Sequence, residues 1–136
     1  MVIDQSILDE LTAAAKASPR LRMNFDLRNS VEDQSQRMLN AIEPGSPLPI
    51  HRHRHSSETV VCLRGRFVED FYDDMGNLTE SIELVPGGPN YLLNIPIGQW
   101  HTVRSLESGT VLLECKDGAY EPLGEEDVIR DSEVML

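Results

Sequence analysis

Three histidines and a glutamate (His51, His53, His55 and Glu58) fall within eight consecutive residues of the stretch 45–65. On a β-strand, successive side chains turn to opposite faces, so His51 and His53 project together while Arg52 points away. Two imidazoles on one face can chelate a single ion. Imidazole suits zinc, iron, nickel and copper, and a carboxylate widens the choice toward manganese. Glu58 follows a short polar break and heads the run 59–63, which reads as the next strand. An antiparallel return would bring its carboxylate back to the same ion. The fourth ligand must then come from far along the chain, and that requires a fold in which distant strands meet.

The segment Pro96-Ile97-Gly98-Gln99-Trp100-His101 offers that ligand. Its proline and glycine make a turn, and His101 heads the β-like run 102–104. All four histidines of the chain lie in these two regions, which favours a shared metal over a chance cluster. His55 has the strand parity of His51 and His53 and competes with Glu58 as a ligand, although Ser56-Ser57 suggests that the strand has ended by then. Three imidazoles and one carboxylate leave one or two coordination positions open to water or substrate.

The residues that carry this argument also carry a resemblance. Gly45, His51, His53, Glu58 and Gly65 fit the first motif of the cupin superfamily, G-x5-H-x-H-x3–4-E-x6-G, at every position. Pro96, Gly98 and His101 fit the middle of the second motif, G-x5-P-x-G-x2-H-x3-N. That motif departs at both ends, with Asn90 in place of its first glycine and Ser105 in place of its asparagine. Three further blocks resemble the small WbuC-type cupins: Ser18-Pro19-Arg20-Leu21-Arg22, Arg37-Met38-Leu39-Asn40-Ala41 and Lys116-Asp117-Gly118-Ala119-Tyr120. The likeness extends to about Tyr120. It implies one divalent transition metal ion (zinc, iron, manganese and nickel not being distinguished) held by His51, His53, Glu58 and His101. WbuC-type proteins are often encoded with O-antigen and polysaccharide genes, so it also implies a setting in bacterial surface-polysaccharide biosynthesis.

The chain has 136 residues, the size of one domain, and buries enough surface to hold a core without staples. Its 12 Lys and Arg against 23 Asp and Glu leave a net charge of −11. That argues against nucleic acid and anionic membrane as partners, since both need a basic face. Cys62 and Cys115 sit in apolar runs and read as buried free thiols. With no cationic-then-apolar leader and no long apolar run, a cytoplasmic protein is expected.

Residues 4–17 carry Ile7, Leu8, Leu11, Ala14 and Ala15 at helical spacing, with Asp4 or Ser6 as the cap and Pro19 beyond the end. The apolar stripe must pack on the barrel or on a second subunit of a homodimer. About eight to ten short strands with turn signals follow, including 23–27, 36–43, 66–72, 78–85, 91–95 and 110–116. The expected fold is all-β, a cupin-type jelly-roll barrel with an N-terminal helix. Its parts are a helix and arm (1–22), the barrel (23–120) and an acidic tail (121–136) in which Val128, Ile129, Val134, Met135 and Leu136 either dock or fray.

Arg20, Arg22 and Arg28 lie in or beside a short strand. They are either a solvated face or a site for phosphate or carboxylate, which guanidinium binds bidentately. Arg37 and Asn40 can face a pocket or solvent. Glu114 is either outward or near the metal, and Trp100 points away from His101 if its strand is regular. Through the WbuC-like terminal block, Lys116 and Tyr120 become candidates to hold an anionic substrate. Two functions are open: a metal-dependent enzyme acting on a small molecule, such as a sugar or sugar-derived acid, and a non-catalytic, metal-stabilised module that binds a small ligand.

Overall fold

The computed structural model describes residues 1–129. Helix α1 (Gln5–Ala17) precedes β1 (Arg22–Asp26), β2 (Arg37–Ile42), β3 (Ile50–His51), β4 (Glu58–Arg64) and β5 (Phe67–Tyr72). Then come β6 (Leu78–Leu84), β7 (Leu92–Ile95), β8 (Trp100–Ser105), β9 (Val111–Lys116), a 3-10 turn (Glu125–Asp127) and β10 (Val128–Ile129). The strands form two five-stranded antiparallel sheets, ordered β1-β2-β9-β4-β7 and β10-β3-β8-β5-β6. This is the all-β jelly-roll architecture with an N-terminal helix. Among the described residues, no helix is long and apolar enough to cross a membrane.

Asp4 caps α1 by accepting a hydrogen bond from the Ile7 amide, and Ser6 donates to Asp4 instead of capping. The helix packs on the first sheet of its own chain: Leu11 and Ala15 meet Leu39, Ala41 and Val111. That settles where its stripe goes. Strand parity then fixes the inner face of the same sheet. With Leu39 and Ala41 turned to the helix, Met38, Asn40 and Ile42 face the interior, as do Leu112, Glu114 and Lys116 of β9.

Between the sheets the interior divides in two. One end is a dry core of Ile42, Val60, Cys62, Phe67, Leu84, Ile95 and Leu112. The other is a cavity of about 370 Å³, bounded by polar side chains from both sheets. Gly65, which closes the first motif, makes the corner from β4 to β5 with φ +81°, and a Cβ there would collide with Thr110. The two cysteines are free, Cys62 in the core and Cys115 partly exposed. Val128 and Ile129 pair with His51 and Ile50, so this part of the acidic tail belongs to the second sheet. Val134, Met135 and Leu136 lie outside the described residues.

Candidate metal centre

His51 and His101 are opposite one another in the β3–β8 pair, which joins residues fifty positions apart. His53 lies past the end of β3, so strand parity alone does not place it. Its carbonyl accepts from the Gly98 amide at 2.8 Å, which ties the turn of the second motif to the ligand loop of the first. Gly98 makes that turn with φ +81°, a conformation that favours glycine. Glu58 starts β4 and shares its inward face with Val60 and Cys62.

The ring centroids of His51, His53 and His101 lie 4.4 to 5.8 Å apart. One ligand atom from each histidine falls within 4.8 Å of the others. Glu58 Oε1 is 2.8 Å from His101 Nε2, and Glu58 Oε2 is 3.8 Å from His53 Nε2. His51 Nδ1 lies 3.0 Å from the Pro49 carbonyl and His101 Nδ1 lies 2.8 Å from the Gln99 carbonyl. Each bond commits Nδ1 as a donor and turns Nε2 toward the cluster, the outer-shell arrangement that orients metal-ligating histidines. Glu58 Oε2 is buried with no hydrogen-bond partner among the described residues. Three convergent imidazoles and an orphaned carboxylate oxygen fit one divalent transition metal ion.

The protonation pattern fits as well. Burial, aided by the charge on His101, pushes His51 down to about 3, and burial with the Lys116 charge pushes His53 down to about 4. Both rings are therefore neutral at pH 7 with lone pairs available. Burial also disfavours a charge on His101, but the hydrogen bond and charge of Glu58 win and raise it to about 9. Burial of Glu58 is likewise outweighed by His101 and Lys116, and its carboxyl is held below the usual range.

His55 does not join the cluster. Its side chain is 71% exposed and contacts Glu121 at 2.9 Å, because the strand ends at His51 and the loop turns outward. Trp100 does point away from the histidine cluster; it is buried beneath the Arg52 guanidinium, 4.5 Å from its ring centroid. Arg20, Arg22, Lys116 and Tyr120 border the cavity beside the cluster. Arg22 donates to the Pro47 carbonyl at 2.6 Å, while Arg20 has no carboxylate partner among the described residues. Lys116 Nζ stands 3.8 Å from Glu58 Oε2. Arg37 is placed elsewhere: it pairs with Asp33 at 3.0 Å, donates to the Leu27 carbonyl and stands outside the cavity wall. Arg28 pairs with Asp26.

Glu114 faces inward, hydrogen-bonded to Asn40, and burial and the Glu58 charge push it up to about 7. Two cavity residues escaped the sequence reading. Gln36 and Glu69 are 2% and 3% exposed, and Gln36 Oε1 and Glu69 Oε2 have no hydrogen-bond partner among the described residues. Burial raises Glu69 well above the ordinary carboxylate value. A signal for Glu69 existed, since it shares a strand face with Phe67 and Phe71, although Val68 and Asp70 on the opposite face are buried as well.

A family model described as a domain of unknown function (DUF6016) matches residues 3–84. No curated protein matches the sequence. Among solved structures, KdgF from Halomonas sp. superposes with a TM-score of 0.59 at 13% identity, covering 76% of this chain and 84% of that one. Oxalate oxidase in complex with the substrate analogue glycolate gives a TM-score of 0.61 at 14% identity, covering 75% of this chain and 53% of that one. Oxalate decarboxylase of Bacillus subtilis, studied for its Mn(II) centres, gives 0.55 at 18% identity, covering 79% and 27%. The chain thus spans about half of oxalate oxidase and about a quarter of oxalate decarboxylase. These neighbours are cupins, and at such identities the likeness shows the cupin fold.

Proposed function

We propose that this chain, which belongs to the DUF6016 family, is a metal-dependent cupin enzyme acting on a small hydroxylated molecule such as a sugar or sugar-derived acid. The observation that carries the reading is the cavity of about 370 Å³ that opens onto His51, His53, Glu58 and His101. That volume suits a ligand of sugar size. A bound divalent ion would supply Lewis-acid polarisation of a carbonyl or hydroxyl.

The protein groups divide the remaining work. Gln36 and Glu69 line the cavity, and Gln36 Oε1 and Glu69 Oε2, buried and without partners among the described residues, would gain them if a bound ligand drew these side chains to its hydroxyl groups. Arg20 and Lys116 border the same space and can take a carboxylate or phosphate. Arg22, itself bonded to backbone, lends charge there, and Tyr120 adds an aromatic wall. Glu114, held near neutrality in its proton affinity, is suited to move a proton. The WbuC-like blocks support a place in surface-polysaccharide biosynthesis, with the protein acting in the cytoplasm.

The experiment is a thermal-shift and turnover screen of metal-loaded protein against sugar nucleotides, free sugars and sugar acids, repeated after chelation. The enzyme reading expects a hit whose binding and turnover vanish with the metal. Ligand binding that survives chelation, with only the melting temperature lowered, would mark a non-catalytic, metal-stabilised binding module instead.

A further inference from the structure

The stretch 52–57 belongs to no strand, yet it carries His53. The Gly98 amide ties it from one side at the His53 carbonyl. Three acidic side chains of the segment 117–129 hold it from the other. Asp117 accepts from the Ser57 amide at 2.8 Å and from its hydroxyl at 3.1 Å. Glu121 meets His55 at 2.9 Å. Asp127 Oδ1 accepts from both Arg52 Nε, at 2.9 Å, and Arg54 Nε, at 2.6 Å. The Asp127 carbonyl also accepts from the Arg52 amide at 3.0 Å, and Val128 next to it pairs with His51.

Arg52 and Arg54 are the sequence neighbours of His53 on either side. Drawing both guanidinium groups onto one oxygen behind the site fixes the direction in which the residue between them projects. Arg52 also lies over Trp100, which precedes His101, so the same contact braces the second ligand-bearing strand. Asp127 is only 9% exposed, and charge-assisted hydrogen bonds there are roughly twice as strong as neutral ones.

We infer that Asp127 is a positioning residue for the metal centre, acting through Arg52 and Arg54 to hold His53 in place. The inference rests on the metal-centre reading. His51 keeps its β8 partner without Asp127, whereas His53 has no sheet to hold it, so the loss falls on one ligand. Replacing outer-shell partners of metal ligands typically weakens affinity by about 10- to 100-fold.

The test titrates Zn(II) into full-length protein against a chromophoric chelator and records the visible spectrum of the Co(II) form. The proteins are wild type, Asp127→Asn, Asp127→Glu and Arg54→Gln. Glu43→Gln is the control, since Glu43 braces the Ser108–Gly109 turn away from the site. The expected result is at least a tenfold loss of Zn(II) affinity in D127N. Its Co(II) spectrum should change, D127E should recover part of the affinity, and E43Q should lose stability without losing affinity. Should D127N fail to fold, R54Q, altered at a more exposed partner, carries the test with a smaller loss in the same direction. Wild-type protein that takes up neither metal would overturn the metal-centre reading and this inference with it. Wild type that binds, alongside D127N and R54Q that bind within twofold and with an unchanged Co(II) spectrum, would overturn the positioning role alone.

Discussion

His101 Nε2 lies 2.8 Å from Glu58 Oε1, with both side chains almost fully withdrawn from water. Without an ion the two form a charged pair. His101 donates from Nδ1 to the Gln99 carbonyl and from Nε2 to Glu58, which is how an imidazolium is satisfied. His101 would give up its Nε2 proton to coordinate a metal ion. The pair is therefore a holding arrangement that keeps both ligands in register across 43 residues of chain.

One consequence is proton release. His101 is raised to about 9, so at pH 7 it carries a proton that an incoming ion must displace. Metal affinity should rise by about tenfold per pH unit up to about 9 and then level off. Calorimetry at pH 7 in buffers of different ionisation heat should find close to one proton released per ion. A heat independent of buffer would contradict the assignment.

In the metal-free fold the three buried histidines should move stability with pH in two directions, and the raised carboxyls of Glu69 and Glu114 add a loss as pH climbs above about 4.5. His51 and His53 are lowered to about 3 and about 4 from an ordinary 6.5. Below 6.5 the unfolded chain takes up protons that the folded one refuses, so stability falls with acid through these two groups. His101 is raised to about 9, so its contribution is full below 6.5 and is lost as pH rises through 9. Melting temperatures of chelator-treated protein between pH 3 and 10 should fall below about 4.5 and again above 6.5, with little change between. Bound metal should shrink the alkaline fall, because the ion would do the proton's work at His101.

Glu69 should trade stability for function. Its carboxyl is buried, has one oxygen without a hydrogen-bond partner among the described residues and borders the cavity. Glu69→Leu should raise stability of the metal-free protein by on the order of 1 kcal/mol, since an unsatisfied buried polar group is removed. The same variant should lose binding of whichever hydroxylated ligand the screen identifies. Denaturant unfolding and ligand titration read the two effects separately.

Gly65→Ala should cost at least about 1–2 kcal/mol, because a left-handed backbone disfavours any side chain and Thr110 occupies the space a methyl group would need. Gly76, at a similar φ in an open hairpin turn, meets nothing within 4 Å, and Gly76→Ala should cost less. Comparison of the two midpoints in urea checks the role of the close approach.

The metal cluster was legible because the cupin spacing encodes pairings between distant strands. His51 and His101 meet across β3 and β8 even though no local pattern links them. The inward face of β9 was not legible, since Glu114 and Lys116 look the same in sequence whether they meet solvent or a cavity. The helix on β2 decided it by taking Leu39 and Ala41 for the outer face. Arg37 shows the limit of a motif block: it sits among cavity-lining residues in sequence but finds Asp33 four positions away. The acid–base ties between 52–57 and 117–129 were hidden for a simpler reason. Asp117, Glu121 and Asp127 are spaced like ordinary tail charges, and only the folded chain brings them to Arg52, Arg54 and His55.

The most direct test counts metal. Protein purified without a histidine tag, loaded with Zn(II) or Mn(II) and desalted, is analysed for elemental content alongside His51→Ala, His101→Ala and Glu58→Gln. Convergence of the four side chains on one ion predicts one equivalent per chain in the wild type. It also predicts near-total loss in both histidine variants and a weakened hold in the glutamate variant. Metal retained at one equivalent in His101→Ala, or none in the wild type, would contradict it.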